Sequence, residues 1–160
     1  MSARAVTLLV PGSVPKVRAG DDLAALILTA LAEDSICLQP GDIVVLAQKI
    51  VSKAEGRQRD LSLVEPSARA KGLAEKTAKD ARLIEVILQE SQEVVRARRD
   101  VCIVEHRLGH VMANAGVDHS NLAAPGDGDD LVLLLPEDPD RSARALRQRF
   151  EAVAAGPIGV

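Results

Sequence analysis

The 160-residue chain has no tryptophan, no tyrosine and a single phenylalanine. Any core must therefore be aliphatic, built from Leu, Val, Ile and Ala. The same scarcity argues against a single-stranded nucleic-acid site, because such sites stack bases on aromatic rings. There is no excess of positive charge. The formal net charge is -3, so nothing draws the whole molecule to a phosphate backbone. Cysteine is scarce too: Cys37 and Cys102 lie far apart with no CxxC pair, which excludes a disulfide framework and a zinc-ribbon pattern. Both sit in apolar sequence and are expected as reduced, buried thiols, a usage that fits a cytoplasmic protein. Long apolar runs are also missing. The first, AVTLLV at 5–10, is about six residues long before Pro11, too short for a signal-peptide core or a membrane span. No internal repeat is visible.

What is present reads as a globular chain, with 47% hydrophobic and 27% charged residues. By length it is one ordinary domain. AVTLLV reads as a strand ended by Pro11 and Gly12. Asp21 and Asp22 open a helix whose Leu23, Leu26, Ile27, Ala30 and Leu31 share a face. IVVLA at 43–47 is a continuous apolar run, expected as a strand buried on both faces, with SKAEGR as the loop after it. Pro66 and Ser67 open a helix through about residue 75. A third helix is expected over roughly 80–97, with Leu83, Val86, Ile87, Val94 and Val95 as its stripe and Arg96, Arg98 and Arg99 at its C-terminal end, where cations suit the dipole. VCIVEH (101–106), a turn at Leu108 and Gly109, and HVMANA (110–115) form a hairpin. LVLLL (131–135) is another buried strand. A last helix starts at Asp140 or Ser142 and carries Ala143, Leu146, Phe150 and Val153. Ile158, Gly159 and Val160 begin a further strand. Helices and strands interleave, but the hairpin excludes a purely parallel sheet. The fold class is α+β, a mixed sheet with helices.

Two polar stretches could carry chemistry. In AQKIVSKAEGR (47–57), Lys53 follows an apolar run expected as a strand, a position from which an ammonium can reach a phosphate bound beside an α/β sheet. The alternative is a solvated loop lysine. No P-loop is present. In NAGVDHSN (114–121), Asp118 is a hard oxygen ligand suited to Mg2+ or Mn2+, and Asn121 could meet a phosphate or a base edge. The alternative is an Asx-type turn in which both bond their own backbone. A nucleotide-bound metal needs another acid, which the spacing does not identify. His106, His110 and His119 match no zinc signature. Asp127, Gly128, Asp129 and Asp130 lack the spacing of a calcium loop and read as a solvated turn. No GxSxG or Cys–His pattern offers a nucleophile, so no catalytic side chain is named.

Taken together, GDD at 20–22, GDIVVLAQKIVSKAEGR at 41–57, ARLIEVILQES at 81–91, ANAGVDHSN at 113–121 and LLLPEDPDRSARALR at 133–147 resemble the coenzyme F-420 gamma-glutamyl ligase family, in its order and at about its spacing. That family includes free-standing ligases and the front domain of two-domain versions. The resemblance implies joining the amine of L-glutamate to a carboxylate of a deazaflavin coenzyme precursor, with GTP, through an acyl-phosphate. It implies Mg2+ or Mn2+, with K+ as a further candidate, a homodimer, and no nucleic-acid or membrane partner.

The site residues implied by the resemblance follow position by position. The segment after the first strand, which contacts GTP in the family, matches Val14, Pro15, Lys16 and Val17, although PGSVPKV departs from the usual pattern. The pair after the second apolar run matches Gln48 and Lys49. The GTP-binding lysine matches Lys53, the metal-binding aspartate Asp118, and the GTP-contacting asparagine Asn121. The two polar stretches are then expected on opposite sides of one GTP–metal pocket. The resemblance further implies that a segment carrying a second metal-binding aspartate lies outside these residues. Residues 1–160 are accordingly expected to be the N-terminal portion of a glutamate ligase-like domain, completed by further sequence or by a partner chain. The rival expectation is a non-catalytic nucleotide-binding or interaction module derived from the same family.

Overall fold

The computed structural model describes residues 5–119 and 130–160. In chain order the elements are α1 (Leu23–Glu33), α2 (Gln48–Ala54), β1 (Gln58–Asp60), α3 (Ala68–Thr77), α4 (Ala81–Gln89), β2 (Ser91–Arg98), β3 (Val101–His106), β4 (Val111–Ala113), β5 (Leu131–Leu133) and α5 (Pro139–Ala154). This is a mixed α+β fold. The chain divides into two compact units. One comprises residues up to Gly56 together with Pro136–Val160, the other Arg57–Leu135.

In the first unit, α1 starts where an acidic cap stands. The Asp22 carboxylate accepts from the Ala25 amide at 3.0 Å. Leu23, Ile27, Ala30 and Leu31 are buried on one face, as their spacing predicts. α5 begins one residue before the earliest expected start. Asp138 is its cap, accepting from Arg141 at 2.9 Å, and Pro139 occupies the first turn, where a missing N–H costs nothing. Phe150, the lone aromatic, is fully buried against Val17, Leu23, Ile27, Ala154 and Ile158.

The two apolar runs of this unit depart from expectation. AVTLLV forms no strand, and every residue from Ala5 to Val10 is exposed. IVVLA is not buried on both faces. Val44 and Leu46 pack on the core, whereas Ile43 and Val45 are 72% and 87% exposed. Pairing is confined to a single parallel bridge of Ile43 with Gly159, within the expected C-terminal strand, its hydrogen bonds made by the Val44 amide and the Asp42 carbonyl. SKAEGR is not a loop throughout. Its first residues extend α2, which ends at Ala54, and Gly56 at φ +66 then takes the left-handed conformation that stops a helix. Cys37 is exposed rather than buried, in the irregular segment that follows α1. Only Cys102 matches the expectation.

The second unit is built on a three-stranded antiparallel sheet ordered β2–β3–β4, with β1 and β5 paired separately and antiparallel. Ser67 caps α3 as expected, its hydroxyl accepting from the Ala70 amide at 3.2 Å. β3 alternates strictly. Cys102, Val104 and His106 face the core formed with Ile84 and Ile87. Gly109, at φ +83, makes the hairpin turn. The third helix ends at Gln89, not near 97. Glu93 to Arg98 belong to β2, so Arg96 and Arg98 lie on a strand and Arg99 in the turn after it. The β-branched pair Val94 and Val95 suits a pleated surface better than a helix end.

Glu90, at the end of α4, ties this unit together. Its carboxylate accepts from Arg57 Nη2 at 3.1 and 3.0 Å and from Arg107 Nε at 3.1 Å. Arg57 Nε also donates to the Leu135 carbonyl at 2.9 Å. Removing the charge from Glu90 leaves two guanidinium groups facing an amide. Glu90→Gln is expected to lower stability by about 3 kcal/mol, the usual range for breaking a buried ion pair, read from urea denaturation.

His106 is fully buried beside this cluster, its Nε2 3.6 Å from Glu90 Oε2. The Leu108 amide donates to its Nδ1 at 3.0 Å, so the neutral ring carries its proton on Nε2. Burial pushes the imidazole below the ordinary histidine value of 6.5, and the nearby Glu90 charge only partly opposes this. A depressed pKa means the unfolded chain takes up a proton near pH 6.5 that the folded chain refuses. The contribution is complete above 6.5 and is lost as pH falls from there toward the folded value. Urea midpoints are expected to drop between about pH 7.5 and about pH 5.5, and His106→Asn to flatten that slope. An unchanged slope in the variant would refute the assignment.

Candidate functional site

The lysines of the first polar stretch sit on α2. Apolar Ile50, Val51 and Ala54 turn toward the core of the first unit, which fixes the rotation of the short helix. Lys49 and Lys53 are four residues apart and therefore share a face, one turn above the other. Both are half-buried. Like charges at that spacing repel slightly, and an anion held between them would offset the repulsion. Gln48 shares the next face with Ser52, and its amide donates to the fully buried Ser52 hydroxyl. Ser52 was not singled out by its sequence context; its only signal is its place four residues after Gln48.

The segment carrying Val14, Pro15, Lys16 and Val17 lies in the same unit and has no regular structure. Just after it, the Gly20 amide donates to the Ala54 carbonyl at 2.9 Å, tying the segment to the end of α2. Pro15 and Lys16 are exposed and Val14 half-buried. Val17 is in the core, so only its backbone could meet a ligand.

Asp118 belongs to the second unit. It is half-buried and its backbone forms an antiparallel bridge with Leu133. Its amide donates to the Leu133 carbonyl at 2.9 Å, and the Leu133 amide donates back at 2.8 Å. The turn lies just before it. Asn114, Ala115 and Gly116 all have positive φ, at 53, 53 and 67°. Left-handed backbone is uncommon for non-glycine residues, and two in succession are a local strain of the kind that collects at functional sites. At Gly116 a Cβ would lie 3.0 Å from Leu135 Cγ, so a side chain there meets crowding as well as strain.

Asn121, and with it Asp127, Gly128 and Asp129, lies outside the described residues. Among the described residues no three His, Cys, Asp or Glu side chains cluster to hold a metal ion. Asp118 is a donor suited to a hard cation, but one carboxylate is a fragment of a coordination shell. The donor set fits a divalent ion only where a ligand such as a nucleotide brings further oxygens. Among the described residues no helix is long and apolar enough to cross a membrane.

The chain matches the family described as F420-0:Gamma-glutamyl ligase over residues 12–160. It is 51% identical over 145 residues to a coenzyme F420:L-glutamate ligase of Methanopyrus kandleri, covering 91% of this chain and 54% of that relative. It is 42% identical over 155 residues to a protein of the same name from Methanothermobacter thermautotrophicus, covering 97% of this chain and 60% of the relative. A Halorubrum lacusprofundi protein of that name is 41% identical over 149 residues, covering 89% and 55%. The chain thus spans somewhat more than half the length of the curated relatives it matches. A match over nearly its whole length settles the family: this chain belongs to the F420-0:gamma-glutamyl ligases.

Proposed function

We propose that the chain forms part of a GTP-dependent ligase that attaches L-glutamate through an amide bond to a deazaflavin coenzyme precursor. The observation that carries this reading is the family match over residues 12–160, within which Lys49 and Lys53 occupy one face of α2. In the proposed reaction a precursor carboxylate attacks the terminal phosphorus of GTP, and GDP leaves. The amine of glutamate then attacks the acyl-phosphate carbon, loses its proton and displaces inorganic phosphate. Neither step needs a side-chain nucleophile. What the protein must supply is alignment and neutralisation of phosphate charge.

The lysines suit that work. Lys49 and Lys53 would set two ammonium groups against the phosphates, with Gln48 held in place by Ser52. The backbone of residues 14–17 would line the same unit. Asp118 would share a Mg2+ or Mn2+ ion with phosphate oxygens, which supplies positive charge where the phosphates need it. Asn121 and a homodimeric assembly belong to the same proposal.

Calorimetric titration of GTP into the chain, with and without Mn2+, tests it. Lys53→Ala is expected to weaken GTP binding at least about tenfold, the loss of one charge-assisted contact at about 1.4 kcal/mol. Asp118→Ala is expected to leave weak binding that no longer responds to Mn2+. GTP affinity indifferent to both substitutions would defeat the assignment of these residues. Absence of binding under every condition would remove the nucleotide from the proposal.

A further inference from the structure

Arg57 closes the first polar stretch and opens the second unit. Its side chain is only 16% exposed, and a guanidinium taken that far from water must be met by partners. Nη2 donates to both oxygens of Glu90, which answers the charge. Nε makes a separate bond, to the Leu135 carbonyl, and ties the arginine to the stretch that leaves β5. The Arg57 carbonyl takes the Leu134 amide of the same stretch at 3.0 Å. One residue thus holds 134–135 by its backbone and by its side chain, and Glu90 holds that side chain.

In antiparallel pairing a residue turns its amide and carbonyl to one edge, and its neighbour turns them to the other. Leu134 gives its amide to Arg57. Leu133 faces the opposite way and exchanges both main-chain bonds with Asp118, at 2.9 and 2.8 Å. Leu135 also stands against Gly116, two residues before Asp118: a Cβ there would lie 3.0 Å from Leu135 Cγ. Asp118 is therefore reached from Arg57 in two ways, through the bridge at Leu133 and through the contact at Gly116. All of these residues belong to the second unit. A carboxylate that binds a cation must be held where its oxygens are wanted, and the groups behind it matter nearly as much as the ligand itself. We infer that Arg57 is a positioning residue for Asp118. Its two-way hold, Nη2 on Glu90 and Nε on Leu135, sets the place of 133–135 and so of the carboxylate. This role rests on reading Asp118 as a ligand to Mg2+ or Mn2+ beside a nucleotide, and Arg57 acts in it through the backbone, without touching the ion.

Lysine separates positioning from plain stability. An ammonium keeps a charge opposite Glu90 but has no Nε–H fork to hold the Leu135 carbonyl at the same time. Arg57→Lys is expected to lose less than about half of the urea midpoint that Arg57→Met loses. It should nonetheless speed amide exchange at Leu133 and Asp118 at least about tenfold relative to the amides of β3, the central strand of the same unit. In calorimetric titrations of Arg57→Lys, GTP affinity without Mn2+ should stay within about twofold of the unsubstituted chain, while the gain on adding Mn2+ should fall at least about tenfold. Thr77→Ala, at a fully buried position on α3 of the same unit, is the control: its urea midpoint should drop, with the Mn2+ gain unchanged. Exchange at 133 and 118 that moves only in step with β3 would overturn the inference and leave Asp118 standing as a ligand. So would an undiminished Mn2+ gain in Arg57→Lys, or an equal loss of that gain in Thr77→Ala. An unsubstituted chain whose GTP affinity never responds to Mn2+ would instead defeat the metal role of Asp118, and the role of Arg57 with it.

Discussion

The second unit depends on one buried carboxylate. Glu90 receives Arg57 from the start of β1 and Arg107 from the end of β3, and it is itself the cap of α4. Three elements distant in sequence thus meet at two oxygens. A charge taken out of water is costly, and only its partners make the position tolerable. The Arg107 amide reinforces the junction by donating to the Glu90 carbonyl at 2.9 Å. The arrangement also governs His106. The ring accepts the Leu108 amide at Nδ1, while its buried Nε2 lies 3.6 Å from the carboxylate without a hydrogen bond, and a second proton would break the bond at Nδ1.

Much of the fold was legible because local rules and tertiary packing agreed. The cap at Asp22, the cap at Ser67 and the alternation of β3 are each set by neighbours in sequence, and the structure has all three. The failures share a different cause. AVTLLV and IVVLA read as buried strands because an apolar β-prone run looks the same whether or not a partner strand stands beside it. Pairing and burial are supplied by other segments. The long third helix failed for a local reason. Leu83, Val86 and Ile87 continue smoothly into Val94 and Val95 on a helical count, yet Glu90 is drawn to two arginines and the chain turns into a strand after it.

The candidate site was legible in a narrower sense. Lys53 and Asp118 could be named as charged groups near apolar runs, but residue chemistry left a solvated lysine and an Asx turn standing as alternatives. The structure changes the picture for Lys53 and adds a backbone setting for Asp118. Lys53 is on a helix, paired in position with Lys49, and Asp118 is held in an antiparallel bridge. The specific roles came from resemblance across several motifs. The Arg57–Glu90 contact was not legible at all: 33 residues separate the partners, and no spacing rule joins them.

That contact bears on Asp118 through the backbone. Arg57 bonds the Leu135 carbonyl by its side chain and, through its own carbonyl, the Leu134 amide at 3.0 Å. Leu133, one residue earlier, holds Asp118 on both sides of its peptide. Leu135 also crowds Gly116, the last residue of the left-handed turn that delivers the chain to Asp118. The segment 133–135 is therefore gripped by the ion cluster on one side and grips the aspartate on the other. Two strained residues, Asn114 and Ala115, could relax to ordinary backbone if that segment moved. They persist because the surrounding bonds over-determine them. The position of the candidate metal ligand is thus fixed less by its own neighbours in sequence than by a carboxylate at the end of α4.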